Sequence, residues 1–183
     1  HEGWNNLLMS EADGILCQEE YEAEHNPEKI VRLYAESTRL FQAIDISDCP
    51  FNSNTDFRLA ELEYLLNNNL ADVDCSNWEE DTPFKDPHEL YSNLTINKPK
   101  EELVFSHGDL GDSNILVKND KISGFIDLGR SGKADKWYDI AFCVRSIRSD
   151  VGEEKYVKLF FDLLDIEPDL EKIKYYILLD ELF

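Results

Sequence analysis

Basic residues are scarce: 18 Lys and Arg stand against 39 Asp and Glu, for a formal charge of −21. That balance opposes binding to nucleic acid or anionic lipid and favours cationic partners. The four cysteines, Cys17, Cys49, Cys75 and Cys143, show no C-x-x-C spacing and no adjacent histidine cluster. They indicate neither a zinc site nor a disulfide framework and read as free thiols in a reducing compartment, with Cys143 in an apolar helical run that belongs to the core. No apolar stretch reaches membrane-spanning length, and the first residues lack a signal-peptide pattern, so the expected location is cytoplasmic. There is no internal repeat and no low-complexity linker. What is present suits one globular domain: 183 residues, 42% hydrophobic, with 10 Phe, 8 Tyr and 3 Trp.

The chemistry gathers in 103–130. An apolar strand, Leu103-Val-Phe-Ser106, runs into a polar loop; Ile115-Leu-Val117 and 122–126 form a hairpin across the turn Lys118-Asn-Asp-Lys121; a second acidic loop follows. Two signatures lie inside it, His107-x-Asp109-x-x-x-x-Asn114 and Ile126-Asp127-Leu128-Gly129. Phosphoryl transfer needs a magnesium ion held against a charged phosphoryl group and an acceptor hydroxyl aimed in line. Magnesium takes oxygen ligands and keeps several waters, so one carboxylate and one amide oxygen, from Asp127 and Asn114, are enough. Asp109 is then left to orient the hydroxyl and accept its proton. Alone, an Asp-rich loop is a solvated turn and a lone His107 is a structural histidine; together, in this strand and hairpin context, they match the kinase pattern.

At this point the chain resembles the C-terminal lobe of the aminoglycoside 3′-phosphotransferases, close to the type III enzymes. The match is carried by His107-Gly-Asp-Leu-Gly-Asp-Ser-Asn114, Gly124-Phe-Ile-Asp-Leu-Gly-Arg-Ser131, Ala134-Asp-Lys-Trp-Tyr-Asp-Ile-Ala-Phe-Cys-Val-Arg145 and Tyr175-Tyr-Ile-Leu-Leu-Asp-Glu-Leu-Phe183. The resemblance implies an α+β, protein-kinase-like fold, mostly helical with a small β-hairpin at the site. It implies ATP as phosphoryl donor, Mg²⁺, and an aminoglycoside such as kanamycin or neomycin as acceptor at its 3′-hydroxyl. Asp109 becomes the catalytic carboxylate, Asn114 and Asp127 the metal ligands. His107 and Asp139 become structural supports of the loop.

The same resemblance makes 1–12 the end of a small lobe and its hinge, with Met9, Ser10, Ala12 and Ile126 near the nucleotide, and 13–183 the catalytic and substrate-binding lobe. It also gives substrate contacts to Asp72 and Glu79 in an acidic wall, to Arg130, and to a C-terminal clamp of Asp180, Glu181 and Phe183. Read from the residues alone, the run 71–83 is a solvated acidic face, Arg130 and Arg145 are ion-pair partners, and the acidic tail frays. Two positions depart from the family, Ser76 and Ser149, where the type III enzymes carry acids. No Gly-rich phosphate loop, paired strand lysine or helix glutamate lies in the 183 residues. Two other readings share the three site residues: a small-molecule kinase of choline or sugar type, and an isolated lobe that only binds cationic ligands.

Helices are expected at 26–44, capped by Asn26 with Pro27 first and Ile30, Tyr34, Leu40, Phe41 and Ile44 as its core face, and at 56–70 with Leu59, Leu62, Leu66 and Leu70. Others are expected after Pro87, over 137–148 burying Ile140, Ala141, Val144 and Ile147, and over 153–164 and 169–182. A strand is expected over 4–9.

Overall fold

A computed structural model of the protein describes residues 10–71, 74, 78 and 82–183. The elements run β1 (Ile15–Leu16), α1 (Cys17–Glu24), α2 (Pro27–Gln42), α3 (Thr55–Asn67), α4 (Pro87–Ile96), β2 (Leu103–Ser106), β3 (Ile115–Lys118), β4 (Lys121–Phe125), β5 (Gly132–Asp135), α5 (Trp137–Ser146), α6 (Glu154–Leu164) and α7 (Leu170–Asp180). This is the expected α+β class, mostly helical. The strand expected over 4–9 lies outside the described residues.

The hairpin forms where the turn residues place it. Asn119 and Asp120 take φ of 52° and 61°, the mirror-image turn whose twist matches a two-residue hairpin, and Asn and Asp tolerate that region better than most residues. Lys118 faces Lys121 across it. β1 pairs antiparallel with the other side of β3, giving the order β1-β3-β4. β2 and β5 form a second antiparallel ribbon, from Leu103 against Asp135 to Ser106 against Gly132. β1, α1 and β5 have no counterpart among the expected elements. Gly132-Lys-Ala-Asp135 carries little apolar signal of its own; its extended form is set by β2.

Asn26 caps α2, its Oδ1 accepting from Lys29 N–H at 3.2 Å, and Pro27 occupies the first turn, where its missing N–H costs nothing. The buried face of α2 includes Ile30, Val31, Tyr34, Ala35, Thr38 and Phe41. Two expected core residues are not core: Leu40 and Ile44 are 47% and 45% exposed. Leu40 shares the i, i+4 row of exposed Glu36, and Ile44 falls beyond the helix end at Gln42. In α3, Leu59, Leu62 and Leu66 are buried, but Leu70 is 61% exposed because the helix stops at Asn67 and the chain turns through left-handed Asn69.

The core sits where α5 lies along α7 and α2 along α6, with Ile140, Ala141, Val144 and Ile147 all buried. A π-helical turn, Ile147–Val151, follows α5. The ribbon is fastened to α7 by Lys172, whose Nζ lies 2.7 Å from Oδ2 of Asp135. Cys17 and Cys143 are buried free thiols and Cys49 is a half-buried one; Cys75 is outside the described residues. Among the described residues no helix is long and apolar enough to cross a membrane.

Candidate active site

Four local devices bring the acidic loops together. The first is Asp139, in the opening turn of α5. Its buried carboxylate accepts the N–H of His107 at 2.8 Å and of Gly108 at 3.0 Å through different oxygens. Burial pushes this carboxyl above its ordinary range, and the backbone N–H donors oppose that. The second is Gly108, at φ +84°, where any Cβ would run into the carbonyl of Arg130. Only glycine permits this approach between the two loops.

The third is His107. Its Nε2 lies 2.9 Å from the carbonyl oxygen of Ile126, and a carbonyl can only accept, so Nε2 carries the proton. The ring packs edge-on against Phe41, centroids 5.3 Å apart, and Nδ1 has no partner among the described residues. The fourth is Asn114. Its Nδ2 donates to the backbone oxygen of Asp109 at 2.8 Å and to Oδ2 of Asp109 at 3.2 Å, while the Asn114 backbone carbonyl accepts from Ile126 N–H at 3.1 Å. Asp109, Asn114, Ile126 and His107 thus form a hydrogen-bonded circuit, and Asp127 is the next residue along.

Asp127 takes a left-handed φ of 56°, a conformation that costs a non-glycine residue free energy and is found at functional sites. Its side chain is exposed, and among the described residues it has no hydrogen bond or ion pair. With Nδ2 of Asn114 committed to Asp109, the Oδ1 of Asn114 remains as an acceptor. The side chains the two loops offer, two carboxylates and an amide oxygen, are hard oxygens, the set that suits Mg²⁺ and not a thiophilic metal.

Beyond this circuit, Arg130 and Asp180 face each other. The Asp180 carboxylate takes Arg130 Nη1 at 3.0 Å and Arg145 Nη2 at 2.8 Å, and the Arg130 guanidinium also lies over the Phe183 ring, 4.7 Å from its centroid. Glu181 accepts from Thr82 Oγ1 at 3.3 Å. The C-terminus is therefore packed, not frayed, and its first carboxylate is engaged by two guanidiniums. Beside Arg145 opens a cavity of about 450 Å³ lined by Thr82, Arg148, Ser149, Lys174 and Ile177 among others. Ser149 therefore faces it as a neutral residue. Asp72, Ser76 and Glu79 of the expected acidic wall, and Met9, lie outside the described residues. Ser10 and Ala12 are exposed just before β1; Ile126 is half-buried and spends both backbone groups on the circuit.

Three residues at the site escaped the sequence reading. Arg58 on α3 is 3% exposed and donates through Nη2 to the Arg130 carbonyl at 2.7 Å; Ser53 Oγ donates to the same carbonyl at 2.5 Å. The available signal was an arginine within the buried Thr55, Leu59, Leu62 stripe. Asp112, the second acid of the first loop, is pushed up by burial and then by the negative charge of Asp150.

Two acidic loops bridged by an asparagine, on a hairpin beneath a helical domain, define a kinase-like phosphotransferase. The chain belongs to the phosphotransferase enzyme family, whose sequence model matches residues 1–176. Within it the chain is 78% identical over all 183 residues to an aminoglycoside 3′-phosphotransferase of Enterococcus faecalis, covering 69% of that protein. It is 76% identical to one of Staphylococcus aureus, covering 70% of it. Among solved structures, an aminoglycoside 3′-phosphotransferase of type VIII aligns over 94% of this chain and 67% of its own, with a TM-score of 0.79 at 23% identity. An aminoglycoside phosphotransferase from Streptomyces rimosus, in complex with ADP and streptomycin, aligns over 93% of this chain and 67% of its own with a TM-score of 0.74, at 23% identity. These two likenesses establish the kinase-like fold.

Proposed function

We propose that this chain carries the catalytic and acceptor-binding machinery of an ATP-dependent aminoglycoside kinase that phosphorylates the 3′-hydroxyl and so confers antibiotic resistance. The observation that carries the reading is the Asp109, Asn114, Ile126, His107 circuit with Asp127 held open beside it. Asp109, half-buried and hydrogen-bonded through one oxygen only, accepts the proton of the acceptor hydroxyl as that oxygen bonds to the γ-phosphorus and ADP departs. Asn114 and Asp127 would hold Mg²⁺, which when bound neutralises phosphate charge. The names of the Enterococcus and Staphylococcus relatives support an aminoglycoside acceptor over choline or a sugar.

Arg130 and Arg145 orient Asp180 toward the acceptor side, and the excess of acid draws a polycation toward the site. The test joins the chain to the part of the Enterococcus relative that its match leaves uncovered and follows kanamycin phosphorylation. Asp109→Asn should lower kcat by about 10²–10⁴-fold, with the wild-type product carrying phosphate at the 3′ position by phosphorus NMR. Near-normal turnover in that variant would reject the assignment.

A further inference from the structure

The loop that carries Asp127 needs support from outside itself. Asp127 sits at a left-handed φ and is exposed, as are Leu128 and Gly129, so little side-chain packing holds this stretch. An anchor from outside the loop is the carbonyl of Arg130, which receives Ser53 Oγ at 2.5 Å and Arg58 Nη2 at 2.7 Å. That carbonyl is also the group Gly108 closes against, one residue from Asp109.

We infer that Arg58, with Ser53, is a positioning residue: by fixing the Arg130 carbonyl from α3 it sets the Asp127 loop against the Asp109 loop. The inference rests on the phosphotransferase reading above only for what the two loops do.

Three features favour positioning over simple packing. Arg58 is a guanidinium buried to 3% exposure, and its carboxylate partner Glu61, at 2.9 Å, is itself 40% exposed in its side chain. Burying a cation this way is unfavourable unless its donors are well used. Its two terminal nitrogens are used while Nε has no partner among the described residues: Nη1 meets Glu61, and Nη2 reaches both the Arg130 carbonyl and, at 3.1 Å, Ser53 Oγ, so the serine hydroxyl accepts from Arg58 and donates to the same carbonyl. Its flat face also lies 5.7 Å from the Phe183 ring, the ring that carries the Arg130 guanidinium on its other contact. Arg58 thereby holds the Arg130 backbone directly and shares the Phe183 ring with its guanidinium.

The test is hydrogen exchange on the 183-residue chain, read by mass spectrometry for peptides over 127–132 and over α5. Arg58→Met keeps the apolar stem and removes the donors. It should speed exchange at Ser131 N–H, which bonds Leu128 O at 3.1 Å, by about tenfold or more, while α5 amides exchange as in the parent; this size follows from losing one hydrogen bond to a charged donor. Arg58→Lys should recover part of the effect. If Arg58→Met does not fold, Ser53→Ala removes the other donor and should give a smaller shift in the same peptide. Equal acceleration in α5, or an unchanged 127–132 peptide in a folded variant, would overturn the inference.

The functional arm uses the joined enzyme described above. Arg58→Met should lower kcat about tenfold with KM for kanamycin within about twofold, since a displaced loop costs positioning and not acceptor binding. An unchanged kcat overturns the inference; Asp109→Asn run beside it reports separately on the phosphotransferase reading.

Discussion

Near the catalytic loop, Asp139 is buried and Asp112 half-buried, and burial raises both carboxyls, but their amide variants have opposite expected effects. Asp139 uses one oxygen for each of two backbone N–H groups. Asp139→Asn replaces one acceptor by a donor aimed at a donor, leaving a buried N–H unpaired at a cost of about 1–3 kcal/mol. Thermal melts should show this as a loss of about 2–4 °C per kcal/mol, with a larger loss in kcat because the displaced residues adjoin Asp109. Asp112 is raised by burial and by Asp150. A carboxyl whose folded pKa lies above its unfolded value destabilises the fold once pH exceeds the unfolded value, and the penalty is complete above the folded value. Asp112→Asn should therefore raise Tm at pH 8, and the gain should vanish below about pH 4, the ordinary aspartate range. A gain that persisted in acid would contradict the electrostatic cause.

At the scale of elements, α2 is the clearest case of local sequence deciding local structure. Asn26→Ala removes the cap to Lys29 and should cost about 1 kcal/mol, read from urea unfolding midpoints. The hairpin, α2 and the opening of α5 were legible because their signals are local: turn residues, a cap with proline, an apolar period. β1 and β5 were not, because a strand of two residues and one reading Gly-Lys-Ala-Asp owe their form to partners distant in sequence. Helix ends were misjudged for a related reason. Leu40, Ile44 and Leu70 extend the apolar rows, but the helices turn them outward or stop short. Within the site, the His-x-Asp and Asp-x-Gly spacings located the circuit, whereas Arg58 and Ser53 act through a backbone carbonyl that no sequence pattern marks. The pairing of Arg130 with Asp180 was open in the sequence between substrate contact and ion pair; the fold joins the two residues to each other.

For the whole molecule, a charge of −21 both attracts polycations and makes that attraction sensitive to ionic strength. The resemblance seen in the motifs extends over the chain: the family model spans residues 1–176, and Asp180 and Phe183 of the C-terminal stretch contact Arg130. The most direct measurement of the central claim is a calorimetric titration of kanamycin into the folded chain at about 20 mM and about 150 mM salt, a range over which the Debye length falls from roughly 20 to 8 Å. Saturable binding is expected, weakened at the higher salt and impaired by Asp180→Asn with Glu181→Gln. A folded chain that binds no kanamycin at either salt would contradict it.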